Sequence, residues 1–286
     1  MNTLNHKVDF AAVVWVKNAN PNGDPLNGNR PREDYDGFGE ISDVCIKRKI
    51  RNRLQDMGQS IFVQSDDRAD DGCKSLRERA DAFAELKKAE SNKDKELYIK
   101  LACERWIDVR SFGQLFAFKN AKAGEGVSVS VRGPVSIHTA VSVAPIQISS
   151  MQITKSVNSE TGEKKTSDTM GTKHRVDYGM YVFYGSINPQ LASKTGFTDE
   201  DAKLIHEALK TLFENDASSA RPDGSMVVRK LYWWEHNCAS GQYPSAKVHH
   251  SVQVALKEGC NPKLVDSYQI TCTPLEGLAC EEYDGI

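Results

Sequence analysis

The 286-residue chain has no long hydrophobic run: the longest, Phe10–Val16, falls far short of the roughly 20 residues a membrane-spanning helix needs. No basic segment followed by an apolar stretch opens it, so no secretory leader is expected. Its seven cysteines (45, 73, 103, 238, 260, 272 and 280) are odd in number and include no CxxC pair. That pattern fits reduced thiols in a cytoplasm better than a disulfide framework or a zinc site. A Walker A loop, a GxSxG elbow and an HExxH pair are absent, which leaves NTPase, esterase and zincin chemistry without support. No internal repeat is found, and no sign of charge dominates, the net being −2. Lys and Arg stop at Lys263, and Glu276, Glu281, Glu282 and Asp284 make the end of the chain acidic. Hydrophobic residues at 39% and charged ones at 27% suit a globular protein that buries a real core, in one large domain or two ordinary ones.

One segment stands against this even background. Glu40–Leu54 reads EISDVCIKRKIRNRL, with Ser42 placed to cap a helix and Ile46, Ile50, Leu54 and Met57 forming one core-facing stripe. Lys47, Arg48, Lys49, Arg51 and Arg53 occupy the rest, with no acidic residue between Val44 and Gln55. Arg48 and Asn52 point furthest from the stripe, with Lys49 and Arg51 on its flanks. Lys47/Arg51 and Lys49/Arg53 are like-charge pairs four residues apart, each weakening an isolated helix by a few tenths of a kcal/mol. An anionic partner, a phosphate backbone above all, would relieve that repulsion. A merely solvated face is the competing reading.

Around this helix the periodicities alternate between strand and helix. Val8–Lys17 is apolar on both faces and predicts a central strand. Asn18–Gly39, rich in Asn, Pro, Gly and Asp, predicts a long structured loop. Within Gln64–Glu104, Leu76, Ala80, Phe83 and Leu86 give a helical stripe amid charges of both signs, predicting a helical insertion. Trp106–Phe118 and Val127–Ile148 predict strands, with a bulge or edge at Arg132–Pro134. Ser149–Thr172 predicts a long hairpin turning at Gly162, followed by a strand over His174–Ile187. Thr198 or Asp199 caps a helix carrying Ala202, Ile205, Leu209, Leu212 and Phe213, and Met226–Glu235 and Val248–Leu256 complete the strands. The order approximates βαββαβ, a ferredoxin-like or RNA-recognition-motif core, which by itself implies no function.

Together these segments resemble the repeated backbone subunit of the CRISPR Cascade surveillance complex, within the RAMP superfamily, most closely its type I-C version. The matching pieces are Asn20–Pro25 (NPNGDP), the Ser42…Lys47-Arg48…Arg51 helix, Asp108–Gly113 (DVRSFG) as a strand, Gly133–His138 (GPVSIH), Gly171–His174 (GTKH) and Tyr178–Tyr181 (YGMY). The resemblance implies an α+β fold: a ferredoxin-like, RNA-recognition-like palm (1–57 and 106–286), a helical finger insertion (58–105) and a β-hairpin thumb (149–172). It implies copies polymerised head-to-tail on a guide RNA, with small, large and guide-end-capping subunits as further partners and target DNA met through the guide. Cofactors, catalytic residues and a membrane are not expected, and the location implied is cytoplasmic. Carried over by position, Ser42, Lys47, Arg48 and Arg51 hold guide phosphates, Lys49 ranks second, and the loop with Asn22, Arg30 and Arg32 passes near the RNA. Leu115, Met151 and Ile153 wedge against displaced bases, and Lys155, Lys164 and Lys165 lie on the thumb. Backbone contacts and wedging suit a protein that must ignore guide sequence, and the base-stacking aromatic consensus of RNA-recognition motifs is missing.

Blander readings stand beside several of these residues. Arg30 and Arg32 adjoin Glu33, Asp34 and Asp36 and suit local ion pairs equally. The hairpin lysines are offset by Glu160, Glu163 and Asp168, and Met151 and Ile153 suit an ordinary core. The enzymatic alternative is a metal-dependent endoribonuclease using Asp34 or Asp36, as in type III backbone subunits, although carboxylates in such a loop usually make turns. His249–His250 and His236…Cys238 show no third partner at ligand spacing and are expected to be satisfied histidines.

Overall fold

The computed structural model describes residues 2–118, 128–154 and 170–285. The chain opens with β1 (Val8–Ala19), then two short strands, β2 (Gly23–Asp24) and β3 (Arg30–Pro31), and β4 (Phe38–Ile41). Helix α1 (Asp43–Asp56) leads into three more, α2 (Leu76–Asp81), α3 (Ala84–Ser91) and α4 (Lys95–Arg105), and a short α5 (Ile107–Phe112). Strands β5 (Gly113–Ala117), β6 (Ser128–Arg132), β7 (Val135–Ile137), β8 (Ala140–Pro145), β9 (Ile148–Thr154) and β10 (Met170–Ile187) follow. Helices α6 (Pro189–Thr195) and α7 (Asp199–Lys210) precede β11 (Met226–Glu235), α8 (Ser245–His249), β12 (Val252–Leu256), β13 (Tyr268–Cys272) and β14 (Glu281–Asp284). The class is α+β. Among the described residues no helix is long and apolar enough to cross a membrane.

The main sheet is antiparallel in the order β14–β11–β1–β10–β8–β4, with β7 and β9 also paired to β10. Strand β1 lies between β10 and β11, as an apolar run on both faces demands. Its side chains alternate between two cores. Val8, Phe10, Ala12, Val14 and Val16 meet Ile46, Ile50 and Leu54 of α1 and Ala202, Ile205 and Leu209 of α7. On the other face Ala11 meets Tyr232, Trp234 and Val248, while Val13 meets Tyr178, Met180 and Tyr268. A separate apolar cluster joins α2–α4 to Phe62, Trp106, Val109, Phe116, Val129 and Val131, and so reaches past residue 105.

Ser42 and Thr198 cap α1 and α7, the latter in a capping box with Asp201. Helix α7 stops at Lys210, so Leu212 and Phe213 pack from the turn beyond it. The expected hairpin is present as a stem, β9 pairing with β10 from Ile148↔Val176 to Thr154↔Met170. Its Gly162 turn and Lys155, Lys164 and Lys165 lie outside the described residues.

Three expectations are corrected. Trp106–Phe118 is not strand throughout: Ile107–Phe112 is helical and only Gly113–Ala117 extends. The β-branched Ile107 and Val109 favour a strand locally, but both are buried and Asp108 between them is held by three donors, so tertiary contacts decide. Gly113 makes the switch possible: its φ is 81°, and a Cβ there would sit 2.4 Å from the Val131 carbonyl oxygen. Val248–Leu256 divides into the end of α8 and β12, since Ser245–His249 coils first. The Asn18–Gly39 loop holds the β2–β3 pair, and its far end already belongs to β4, an edge strand on β8.

Candidate nucleic-acid interface

Ile46, Ile50 and Leu54 seat α1 on the sheet and leave Val44, in its first turn, exposed. The preceding loop clamps that end. Asn22 Oδ1 accepts from the Ser42 backbone N–H (2.9 Å) and from the Ser42 hydroxyl (2.8 Å), while Ser42 Oγ accepts from the Cys45 N–H (3.3 Å). The two polar side chains that sequence assigns to RNA are therefore brought together and already hydrogen-bonded to each other.

Most of the charge repulsion along α1 is relieved from within the chain. Lys47 Nζ donates to Asp43 Oδ2 at 2.9 Å, one turn back, and that hydrogen bond holds the Asp43 carboxyl below the usual carboxylate range. Lys49 is 4% exposed and paired with Asp216, its ammonium 5.5 Å from the centre of the Phe213 ring. Burial pushes the Lys49 ammonium down while Asp216 opposes the shift. That burial counts against Lys49 as a phosphate contact: reaching a phosphate would break a buried ion pair. Arg51 Nε donates to Asp108 Oδ2 at 2.9 Å, and its guanidinium lies 5.0 Å from the Phe112 ring centre. Asp108 is fully buried and also accepts the Phe62 and Val63 backbone N–H groups at 2.7 and 3.0 Å. Arg53 is held by Thr211 (2.7 Å) and Glu214 (2.6 Å).

Arg48 differs. It donates to the Val63 carbonyl and, among the described residues, has no carboxylate within ion-pair distance. Burial, and then the neighbouring Arg51, push its guanidinium below the ordinary value, although arginine stays charged in proteins. Arg48 and the half-buried Lys47 are the cations of α1 best able to meet a phosphate.

The loop also reaches the hairpin. Arg30 Nη1 donates to Ser150 Oγ on β9 at 3.3 Å, and Ser150 Oγ lies 2.7 Å from His174 Nδ1 on β10. Arg30 pairs with Glu33 at 3.7 Å, one of the acidic neighbours expected to compete for it, whereas Arg32 pairs with Asp24 at 3.4 Å and not with Glu33, Asp34 or Asp36. One loop thus joins the start of the basic helix to the hairpin root. Met151 and Ile153 stand on that stem 40% and 51% exposed, which removes the ordinary-core reading. Cross-strand from them lie Lys173 and Gly171 on β10, and Met170 on the same stem is also exposed. Met170 escaped the sequence reading, and Lys173 entered it only as part of the Gly171–His174 motif. Leu115 is 59% exposed but stands on the separate β5–β6 pair.

Asp34 makes a turn: its Oδ1 accepts the backbone N–H groups of Asp36 (3.0 Å) and Phe38 (2.8 Å). His236 and His249 are buried and do have a third partner, Asp9, which lies 227 positions before His236 and so was hidden from a spacing argument. Asp9 Oδ2 lies 2.9 Å from His236 Nε2 and 3.2 Å from Lys7 Nζ, while His249 Nε2 lies 3.0 Å from the Gly185 carbonyl oxygen. Burial alone would raise the Asp9 carboxyl, yet the adjacent His249, Ser245 and His236 side chains and the charge of Lys7 bring it down to about 2. Among the described residues no three His, Cys, Asp or Glu side chains converge as a metal site.

An α+β protein with one large antiparallel sheet, a basic helix clamped by its own loop and an apolar-faced hairpin stem is the class these features define. The sequence profile of the family described as CRISPR-associated protein Cas7 matches residues 6–273, and the chain belongs to that family. A relative of that description from Haloferax volcanii is 25% identical over 233 residues, covering 77% of this chain and 67% of the relative. A solved chain of a CRISPR RNA-guided surveillance complex, in a pre-nicking state, superposes with a TM-score of 0.51 at 15% identity, covering 89% of this chain and 84% of its own.

Proposed function

We propose that this Cas7-family chain is a non-catalytic, sequence-independent guide-RNA-binding subunit, most like type I-C, repeated head-to-tail as the backbone of a cytoplasmic Cascade complex. The observation that carries the proposal is the exposure of apolar Met151, Ile153 and Met170 on a stem hydrogen-bonded to the loop that clamps the basic helix. Apolar side chains held in solvent beside cations suit wedging of bases and gripping of phosphates, neither of which reads base edges. The palm reading is supported by the run β11–β1–β10–β8, which is the fourth–first–third–second order of a ferredoxin-like sheet with α1 and α7 on one face. Helices α2–α4 with the β5–β6 pair correspond to the finger, and the β9–β10 stem to the base of the thumb. Lys47 and Arg48 lead the phosphate contacts. Arg51 orders Asp108 and the Phe62–Val63 backbone around them, and target DNA meets the assembly through the guide.

The test is filter binding of single-stranded RNA across a salt series. Lys47→Ala and Arg48→Ala should each weaken binding evenly across sequences and lower the salt slope by about 0.7. Unchanged affinity and slope in both variants would remove α1 from the interface. Purified protein whose 260/280 nm absorbance shows no co-purifying RNA, and which binds none added, would overturn the function itself. Mg²⁺-dependent RNA cleavage lost in Asp34→Ala would instead establish the ribonuclease reading.

A further inference from the structure

We infer that Cys272 and Cys280 form a dithiol modification site at the junction of β13 and β14, which a hydroperoxide oxidises to an intrachain disulfide. The inference goes beyond the RNA-binding reading and does not depend on it.

A short, braced turn brings the two residues together from different sheets. Cys272 is the last residue of β13, and Cys280 immediately precedes β14. Between them Leu275 and Leu278 form an antiparallel bridge, with Gly277 at a φ of 70°. Two side chains pin the tip from outside: Gln242 Nε2 donates to the Gly277 carbonyl at 2.6 Å, and the Tyr243 hydroxyl to the Glu276 carbonyl at 2.8 Å. Register then carries both sulfurs to one face. Glu282 stands opposite Tyr232, so Cys280, two residues earlier, falls on that face opposite Trp234. Cys272 packs against the apolar cluster that holds Tyr232 and Trp234. Both cysteines are free, and their thiols lie within hydrogen-bonding reach of each other. Cys280 is exposed and Cys272 half-buried, so a small oxidant reaches them.

The surroundings divide the roles between the two thiols. Burial pushes the Cys272 thiol up, and the adjacent Ser251 and Cys280 side chains oppose that shift. Cys280 is pushed further, up to about 12, by burial first and then by the charge of Cys272. Cys272 is therefore the one that ionises and attacks, and Cys280 the one that resolves. With hydrogen peroxide, the Cys272 sulfur attacks one oxygen and the O–O bond breaks. The departing oxygen leaves as water with the Cys272 proton, and a sulfenic acid remains. The Cys280 sulfur then attacks the Cys272 sulfur, the S–O bond breaks, and the hydroxyl leaves as a second water with the Cys280 proton. The dithiol gives up two electrons and the peroxide accepts them.

Thiols this weakly acidic react slowly. The pair thus stays reduced where thiol reductants prevail and closes under sustained oxidation. Closure has a structural consequence. Strand β14 is the edge of the main sheet, and β13 belongs to the separate β12–β13 pair. A disulfide ties that edge to the layer beside it and restricts the unfolded chain.

The experiment treats the full chain with hydrogen peroxide, blocks remaining thiols with an alkylating agent and digests with trypsin. No Lys or Arg follows Lys263, so one peptide, from Leu264 onward, carries both cysteines and no other. That peptide is expected to escape alkylation and to lose about 2 Da, the mass of two hydrogens, with dithiothreitol restoring it. The unfolding midpoint should rise by roughly 5 °C on closure. Cys280→Ser should stop at a sulfenic acid on Cys272, trapped by dimedone. A peptide that keeps both thiols, or that gains oxygen without the 2 Da loss, while the exposed Cys260 is oxidised, would overturn the dithiol. So would a disulfide-linked dimer through either cysteine. Should Cys280→Ser fail to fold, the peptide mass from the unaltered protein decides. None of these measurements reads RNA binding, so their failure leaves that reading standing.

Discussion

Helix α1 and the β9–β10 stem were both assigned to the same ligand, yet each inverts what its composition promises. The helix carries five cations in seven positions, and the fold neutralises most of them: Asp43, Asp108, Asp216 and Glu214 take Lys47, Arg51, Lys49 and Arg53. The stem carries Met151, Ile153 and Met170, residues that normally seek a core, and the fold leaves them in solvent. A charge buried in a pair is part of the architecture, whereas an apolar side chain held in water is a contact waiting for a partner. The residues available to a ligand are therefore fewer on the helix, and more on the hairpin, than a count of charges suggests.

The sharpest way to break this contrast is Asp108→Ala. It would strand Arg51 and two backbone N–H groups in a buried setting, and should cost about 3–5 kcal/mol of stability in urea unfolding. A cost below about 1 kcal/mol would mean that Arg51 is as available to a ligand as Lys47. Acid should expose the next largest effect. The lowered carboxyl of Asp9 contributes stability that is fully present above its unfolded value and is lost as pH falls from about 4 towards about 2. Its protonation should remove roughly 2 kcal/mol, and Asp9→Asn should abolish that part of the pH dependence. Smaller still, Lys47→Ala should change stability by less than about 1 kcal/mol, since its pair with Asp43 is half-exposed, while it alters the salt slope of RNA binding. Smallest of all, Met151→Ser and Ile153→Ser should leave unfolding within about 0.5 kcal/mol of the parent chain while disturbing the RNA complex. A large loss of stability in either would show that the stem packs against something.

Legibility followed the range of the interactions involved. Strand β1, the capped helices α1 and α7, and the stem of the hairpin were written in local periodicity and capping residues, and the structure holds all of them. Helix α5 was not, because its conformation depends on Asp108 receiving donors from residues 51, 62 and 63 and on Gly113 passing close to the Val131 backbone. The candidate site divides in the same way. Ser42 as cap and the cations as a cluster were visible, whereas Lys49's burial against Asp216, 167 residues away, was not. Nor could spacing reveal that Asp9 completes a group with His236 and His249, since residues that meet across a sheet share no periodicity.

Sequence by itself determined most of the segments that coil and extend, α5 and α8 excepted, where the positive charge is concentrated, and, through ordered motifs, the family to which the chain belongs. Those properties depend on nearest neighbours and on side-chain type, which a linear string records in full. Tertiary structure alone decided which cations remain available and which apolar side chains stay in solvent. Each of these is a balance of burial against pairing, and burial exists only once distant strands and loops have closed around a residue.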